Sequence, residues 1–306
     1  MAAQGSSRGQ AGPPEPSVTL LDGATGTELS RRGADTRLPL WSARPLVTDP
    51  DLVRRVHADW LLAGAEILTT CTFRTHRRSL AHGGWEHRVD ELNQVAVDLA
   101  RQARDEASGV REVRIAGGIA PLEDCYRPDL VPDDDVLAEE HGAQAESLAR
   151  AGAELLLVET MACRREAVAA VTAARATGLP SWCSLCTTGD GRLLSGEPLA
   201  EVAEEVAALG VEAVLLNCLP SVDLLPDLER LRAAVAGPVG AYGNVGHAHD
   251  VDGWRVELQL TPEHFAELAE SWLAAGASLV GGCCGTEPRH VAELARRQRR
   301  NVRSAR

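Results

Sequence analysis

A helix-ending glycine followed at once by a short apolar run occurs four times along this chain. The four segments are residues 62–66, 150–154, 208–212 and 274–278, and each sets the glycine between alanine or other aliphatic residues. Glycine in this position ends a helix by adopting the left-handed conformation, and the apolar run behind it is typical of a buried strand. The recurrence predicts repeated helix-to-strand connections, as in parallel α/β proteins.

Eight apolar runs predict strands, at residues 18–21, 66–70, 113–117, 154–158, 181–186, 212–216, 238–242 and 277–281. Helical patterns follow or separate them, at residues 50–63, 88–108, 135–151, 164–177, 198–209, 222–236, 262–275 and 288–300. Strands that are apolar on both faces are typical of a parallel sheet covered by helices. The count favours a single α/β domain, a (β/α)8 TIM-type barrel, over a doubly wound open sheet.

Composition predicts how the chain is divided and where it resides. Residues 1–16 are rich in Gly, Ser, Pro and Gln and predict a disordered N-terminal tail, the barrel is expected over residues 17–300, and residues 301–306 are expected to form a C-terminal tail. No secretory signal is recognisable, and no apolar run approaches the ~20 residues that span a bilayer. Together with eight cysteines, these features predict reduced thiols and a cytoplasmic protein with no membrane partner.

The charged residues exclude several classes of protein. The chain has 44 acidic and 31 basic residues, a net charge of −13, and every one of those basic residues is arginine because lysine is absent. So acidic a chain is not expected to bind nucleic acid. Without lysine, the chain cannot act as a Schiff-base aldolase or as a pyridoxal-phosphate enzyme that uses its own lysine.

Polar residues that can perform chemistry come directly after four of the predicted strands. In chain order they are Asp22, Glu159, Asn217 with Cys218, and Cys283 with Cys284. The carboxyl ends of barrel strands meet at one face, where such enzymes place their active sites. We therefore expect these side chains to converge at one mouth.

Three cysteines at this mouth point to a catalytic metal. Zinc held by three protein ligands keeps a fourth position open, whereas a structural zinc site closes with four ligands. Cys283 and Cys284 lie in a glycine-flanked turn in which the thiols are the side chains available for packing. A buried or disulfide-bonded thiol pair remains the alternative, because free cysteine is commonly a small buried hydrophobe.

Five sequence elements between residues 18 and 297 form a recognisable set. They are DGATGTEL at 22–29, LWSA at 40–43, ET at 159–160, NC at 217–218 and GGCCGT at 281–286. Together they resemble the zinc-dependent homocysteine S-methyltransferase family. The element at 40–43 is more similar to the branch that uses S-methylmethionine or S-adenosylmethionine than to the betaine-using branch.

The resemblance implies a zinc ion (Zn2+) on Cys218, Cys283 and Cys284, with homocysteine entering through its sulfur as fourth ligand. Asp22 and Glu159 would meet the ammonium group of this acceptor. The implied reaction moves a methyl group from a cationic donor to the homocysteine thiolate, giving methionine, so both partners are small molecules. Zinc coordination deprotonates a thiol, and no separate general base is then required.

The donor side of the site is less constrained. Asn217, Trp41 and Phe73 are expected to bind substrate, and Tyr242 and Trp254 join the two aromatic residues as candidates for cation–π contact with a methylated cation. Ordinary packing is the alternative for each aromatic residue. The segment 241–249 only partly resembles the family's Tyr-Pro-Asn-(Ser/Ala)-Gly segment, so the donor stays open.

Three further signals are interpreted as structural. The basic segment at residues 72–78 could bind an anionic group of a substrate, but a solvated surface loop is favoured. The Trp-Cys-x-x-Cys pattern at 182–186 falls on the predicted fifth strand, so one cysteine should face the barrel and the other the helices. His247 and His249 are expected to be solvated and not to bind metal.

Two other functions stay open. The same thiolate chemistry could serve a different acceptor thiol, or could demethylate an unfamiliar sulfonium or quaternary ammonium donor. Alternatively, the barrel is a non-catalytic thiol- or metal-binding protein in which Cys283 and Cys284 form a redox-sensitive pair. Asp22 and Glu159 favour an enzyme, because a mere metal binder has no use for carboxylates matched to an ammonium group.

Overall fold

The computed structural model describes residues 18–107, 112–246, 248–249, 255–256 and 260–304. The strands within these ranges are β1 (Thr19–Leu20), β2 (Ile67–Thr69), β3 (Arg114–Ile119), β4 (Leu155–Met161), β5 (Ser181–Leu185), β6 (Ala213–Pro220), β7 (Val239–Asn244), β8 (Ala248–His249), β9 (Arg255–Val256) and β10 (Leu279–Gly282). The predicted N-terminal tail lies outside the described residues.

The α-helices within the same ranges are α1 (Gly26–Arg31), α2 (Pro45–Thr48), α3 (Pro50–Ala63), α4 (Arg77–Ala81), α5 (Val89–Glu106), α6 (Asp134–Ala151), α7 (Arg164–Ala176), α8 (Leu199–Ala208), α9 (Leu225–Ala234), α10 (Pro262–Ala274) and α11 (Pro288–Ser304). Short 3-10 helices cover Trp41–Ala43, Glu86–Arg88, Pro128–Leu130 and Ser221–Asp223. The last α-helix therefore continues past residue 300, where the sequence pattern predicts its end.

The predicted barrel is confirmed. Eight parallel strands form one sheet in the order β1-β10-β7-β6-β5-β4-β3-β2. Its two ends meet where Leu21 bridges Ile67 in parallel, and the backbone nitrogen of Asp22 donates to the carbonyl of Ile67 at 3.1 Å. Strands β8 and β9 form a separate antiparallel hairpin beyond β7.

The four glycines that opened the sequence argument act as expected. Gly64, Gly152, Gly210 and Gly276 have φ values of 111°, 89°, 87° and 99°. This is the left-handed region, which glycine enters without the steric cost of a Cβ. Each therefore ends a helix and returns the chain to the next strand of the barrel.

Two apolar layers enclose the strands. In β4, Leu155 and Leu157 point into the barrel, whereas Leu156 and Val158 pack against the surrounding helices. This alternation is the side-chain pattern of a strand that is buried on both faces. The two cysteines of the Trp-Cys-x-x-Cys pattern at 182–186 are divided between the two faces in the same way.

The two cysteines of that pattern face opposite sides of β5. Cys183 packs in the outer layer, and Cys186 packs beside Cys218 at the barrel mouth. The expectation of one inward and one outward thiol is confirmed. The segment is a strand and not a helix N-terminus, so it lacks the setting that a thioredoxin-like thiolate requires.

Strands β4 and β6 extend beyond their predicted ends at residues 158 and 216. Each carries a register shift against its neighbour, between Val158 and Met161 in β4 and between Asn217 and Pro220 in β6. The shifts coincide with left-handed backbone at Thr160 (φ 63°) and Cys218 (φ 60°). The prediction of the strand ends was wrong because polar residues stop the apolar pattern before they stop the strand pairing.

Candidate active site

A cleft opens at the carboxyl ends of the barrel strands. Its walls include residues from the turn after β1, from the 3-10 helix Trp41–Ala43, and from β2, β4, β6, β7 and β10. The space inside the cleft is about 730 Å³ when the open mouth is counted. Of the predicted site residues, it brings together Asp22, Trp41, Phe73, Glu159, Cys218, Cys283 and Cys284.

Three thiols cluster in the floor of this cleft. The sulfur of Cys218 is 3.3 Å from that of Cys283 and 3.7 Å from that of Cys284, and all three sulfurs lie within 4.8 Å of one another. None of the three forms a disulfide. Ligand sulfurs about 2.3 Å from a tetrahedral zinc ion would stand about 3.8 Å apart, so the spacing fits a common metal.

The backbone aims these thiols by two different devices. Cys218 sits at the register shift in β6 with a left-handed φ of 60°, a conformation that a non-glycine residue adopts only where the surrounding structure holds it. Cys283 and Cys284 follow β10 in a turn closed by Gly285 at φ 77°. A Cβ on Gly282 would stand 2.5 Å from Thr286, so this turn requires glycine there.

Thr286 connects the turn that contains Cys283 and Cys284 to the loop after β1 through hydrogen bonds. Its hydroxyl donates to the carbonyl of Cys283 at 2.7 Å and accepts from the backbone nitrogen of Ala24 at 3.1 Å. The backbone nitrogen of Gly285 donates to the hydroxyl of Thr27 at 2.9 Å. The elements at 22–29 and 281–286 thus form one hydrogen-bonded unit beside the pairing of β1 with β10.

The three thiols differ in how readily they ionise. Hydrogen bonds from Cys283 and Cys284 lower the pKa of Cys218, because they stabilise its thiolate. The pKa of Cys283 is raised, first by its hydrogen bonds with Cys218 and Cys284 and then by burial. One thiolate is thus stabilised within the protein, and ionising all three requires an added positive charge.

Asp22 and Glu159 provide two carboxyl groups in the same cleft. Asp22 accepts hydrogen bonds from the backbone nitrogen of Thr69 at 2.7 Å and from its hydroxyl at 3.1 Å, yet burial raises its pKa to about 7. Burial, then the charges of Asp22 and Cys218, raise the pKa of Glu159 to about 8. Gly118 leaves space for this side chain, because a Cβ at position 118 would stand 2.7 Å from a carboxyl oxygen of Glu159.

Asn217 is fully buried and does not line the cleft. Its amide oxygen accepts from Ser184 at 2.7 Å and from the backbone nitrogen of Thr160 at 3.1 Å. Its amide nitrogen donates to the Thr160 hydroxyl at 2.8 Å and lies 4.0 Å from the Cys283 sulfur. The side chain thus joins the irregular ends of β4 and β6 and contacts a thiol. The sequence analysis expected it to contact substrate instead.

Three of the four aromatic candidates line the cleft. The rings of Trp41 and Phe73 meet edge to face, with centroids 5.7 Å apart and planes at 79°. Tyr242 also lines the cleft and is 4% exposed. Trp254 and His247 lie outside the described residues, and His249 is described only as part of the backbone of β8.

The interpretation of residues 72–78 as a solvated loop was wrong for most of the segment. Thr72, Arg74, Thr75 and His76 are all buried, and Phe73 lines the cleft. The segment turns inward because the hydroxyl of Thr72 donates to the carbonyl of Gly118 at 2.8 Å, which ties it to the end of β3. Charge alone predicts solvation, but it does not report such tertiary hydrogen bonds.

The sequence analysis assigned no role at the site to three further thiols that lie near it. Cys71 and Cys125 are buried and line the cleft, and Cys186 packs against Cys218 and Cys284. The position of Cys186 at the end of the predicted fifth strand was a usable signal. Cys125 lies in a loop well beyond β3, so no periodic pattern connects it with the mouth.

The fold and this site define a class of protein: a (β/α)8 barrel enzyme scaffold with a three-thiol cluster and two carboxyl groups at its catalytic face. The family described as homocysteine S-methyltransferase matches residues 19–298. The chain belongs to this family.

Individual relatives agree with this assignment. The chain is 32% identical to homocysteine S-methyltransferase YbgG of Bacillus subtilis, over 91% of this chain and 93% of the relative. It is 33% identical to homocysteine S-methyltransferase of Escherichia coli, over 90% of this chain and 94% of the relative. The crystal structure of the E. coli homocysteine methyltransferase MmuM in its metallated form superposes with a TM-score of 0.81, at 32% identity, covering 92% of this chain and 97% of that one.

No helix in the described part of the chain combines the length and apolar character needed to cross a membrane.

Proposed function

We propose that this protein transfers a methyl group from a cationic sulfonium donor, S-methylmethionine or S-adenosylmethionine, to the sulfur of L-homocysteine, giving methionine. The observation that carries the proposal is the presence of three clustered thiols and two carboxyl groups in one cleft. Membership of the homocysteine S-methyltransferase family supports both the reaction and the acceptor.

Cys218, Cys283 and Cys284 would hold a zinc ion. Their spacing and the soft character of the donor set fit this metal, and its fourth position is left for a substrate. When bound, zinc supplies a positive charge that favours the thiolate form of the acceptor at neutral pH. The pKa values of Cys283 and Cys284 are raised, which opposes their ionisation, and the positive charge of the metal would counteract this effect.

Asp22 and Glu159 would bind the ammonium group of the acceptor. Both carboxyl groups are desolvated, and a cation beside them favours their ionised forms. A site with two carboxylates beside a thiol cluster selects a small molecule that carries an amine and a thiol. This is the chemistry of homocysteine.

The transfer itself requires positioning more than acid or base catalysis. The acceptor sulfur donates an electron pair to the methyl carbon, and the carbon–sulfur bond of the donor breaks with its electron pair left on the departing thioether. Charge is neutralised, so alignment in line and exclusion of water contribute most of the rate. Trp41 and Phe73 would face the donor cation, and Asn217 would hold Cys283 and the end of β4 in place.

The proposal is tested by incubating the purified, reduced protein with homocysteine and a panel of methyl donors. Methionine should form with at least one of S-methylmethionine and S-adenosylmethionine. Each homocysteine consumed should give two methionines with S-methylmethionine, whose departing thioether is methionine, or one methionine and one S-adenosylhomocysteine with S-adenosylmethionine. Glycine betaine serves as the quaternary ammonium comparison. Absence of methionine with every donor, from protein that carries its full zinc content, would refute the proposed function.

The two raised carboxyl pKa values predict a pH dependence. Asp22 and Glu159 have pKa values of about 7 and about 8, so both are largely protonated below pH 7 and cannot pair with an ammonium group. We expect kcat/KM for homocysteine to rise with pH through this range and to fall on acidification. Measuring the profile from pH 6 to pH 9 at saturating donor tests this, and a flat profile would contradict it.

Trp41 provides a test of the donor side. Trp41→Leu keeps an apolar side chain but removes the π face, and a lost cation–π contact of about 0.5–2 kcal/mol corresponds to a roughly two- to thirtyfold rise in donor KM. The KM for homocysteine should stay unchanged. Trp85→Leu is the matched control because Trp85 does not line the cleft; equal effects of the two substitutions would exclude a donor contact.

A further inference from the structure

Arg74 is a buried arginine beside the cleft, and no ion pair to a described residue neutralises its charge. Its side chain belongs to the segment that turns inward after β2, and the residue is 9% exposed. Its guanidinium carbon lies 5.4 Å from the centroid of the Phe73 ring, and Phe73 lines the cleft. Arg74 therefore lies next to Phe73 of the cleft wall, and its own side chain is not part of that wall.

The hydrogen bonds of Arg74 leave much of the guanidinium unused. One terminal nitrogen donates to the backbone carbonyl of Glu123 at 3.2 Å. Its Nε is buried and has no hydrogen-bond partner. Among the residues that the structure describes, no carboxylate lies within 4.0 Å of its nitrogens, the distance at which an ion pair is counted.

Arg78, in the same segment, differs from Arg74 because it forms ion pairs with two carboxylates. Arg78 lies 3.0 Å from a carboxylate oxygen of Glu123 and 2.7 Å from one of Glu140. The carboxylate of Glu123 thus pairs with Arg78, and Arg74 bonds only to the backbone carbonyl of the same residue. A buried charge without a counter-ion costs several kcal/mol, so its position needs a compensating partner.

The electrostatics of the cleft also favour an anion at Arg74. A fixed positive charge near the site of a cationic donor repels that donor, unless the substrate carries a negative group of its own. The planar guanidinium matches a carboxylate with two parallel hydrogen bonds. An amino-acid substrate supplies such a carboxylate, and the cation–π contact with Phe73 orients the guanidinium while the cleft is empty.

We propose that Arg74 is a specificity-determining residue that binds the carboxylate of an amino-acid substrate in this cleft. The inference rests on the proposed methyl transfer and adds the substrate class: zwitterions that carry a carboxylate are selected over cations that lack one. The carboxylate can belong to the donor or to the acceptor, and matched substrate analogues distinguish these two sources.

The test compares each substrate with its carboxamide. For wild type and Arg74→Gln, kcat/KM is measured with S-methylmethionine and S-methylmethionine amide, and then with homocysteine and homocysteine amide. Arg74→Gln should lower kcat/KM for one carboxylate substrate roughly ten- to 150-fold, the effect of losing a hydrogen bond to a charged group. The corresponding carboxamide should be affected less than threefold, and the pair that responds identifies which substrate Arg74 contacts.

Two further variants keep the test decisive. Arg74→Lys retains the charge and should recover part of the preference for the carboxylate. Arg77→Gln removes an exposed arginine from the same segment and should leave the preference unchanged. Melting temperatures show whether each variant is folded. Calorimetric binding of each carboxylate and carboxamide compound gives the same comparison without turnover.

The inference is overturned if Arg74→Gln lowers kcat/KM and binding equally for carboxylate and carboxamide compounds. That result would make Arg74 a packing residue or a counter-charge for the thiol cluster. No change for either pair would overturn it as well. Failure of the proposed function is a different result, because wild-type protein would then form no methionine from any donor while the binding comparison could still be made.

Discussion

Replacing Cys283 by alanine is expected to remove both metal retention and turnover. The sulfur of Cys283 lies 3.3 Å from that of Cys218, and two remaining thiols cannot hold a zinc ion with an open fourth position as three can. We expect kcat/KM to fall by about three orders of magnitude or more, or about 4 kcal/mol of transition-state stabilisation. Zinc measured by elemental analysis should fall from about one equivalent per chain to near zero.

The control for this substitution is Cys183→Ala. It also removes a fully buried thiol, but from the layer between the strands and the helices and away from the cleft. Its zinc content and activity should match those of the wild type. Full activity together with full metal content in Cys218→Ala, Cys283→Ala or Cys284→Ala would refute the ligand assignment.

Glu159→Gln is expected to have the second largest effect. The substitution keeps the size of the side chain but removes a desolvated negative charge from the cleft, and losing one partner of a buried ion pair costs about 3–5 kcal/mol. This corresponds to a loss of roughly two to three and a half orders of magnitude in kcat/KM for homocysteine. The donor KM should change little, so a selective rise in donor KM would show that Glu159 faces the donor.

The same substitution should not weaken the fold. The pKa of Glu159 is raised on folding from 4.5 to about 8, so the native state loses stability as the pH rises from the lower to the higher value, and the full cost is present above pH 8. Glu159→Gln removes this cost, so at pH 9 its melting temperature should equal or exceed that of the wild type. Loss of activity with retained stability separates a binding role from a structural one.

The sequence allowed prediction of the barrel because its signals are local. The glycines at 64, 152, 210 and 276 and the apolar runs after them report short-range geometry, and each adopts the left-handed backbone that was expected. The convergence of Asp22, Glu159, Cys218, Cys283 and Cys284 followed from the topology of a parallel barrel, since their strands end at one face.

Other features could not be predicted because they depend on tertiary contacts. The left-handed turns at Thr160 and Cys218 arise from register shifts between strands. The role of Asn217 depends on hydrogen bonds to Thr160 and Ser184, which come from two other strands. The burial of Arg74 contradicted the reading of its segment as solvated, because a charge in the sequence does not reveal which loop folds inward.

The central claim is that three thiols hold the metal on which methyl transfer depends. Its most direct test is to follow zinc per chain and methionine formation together while reduced wild-type protein is titrated with a chelator and then resupplied with zinc. The account predicts that activity falls in proportion to bound zinc and returns when zinc is restored. Undiminished methionine formation by protein stripped of metal would contradict it.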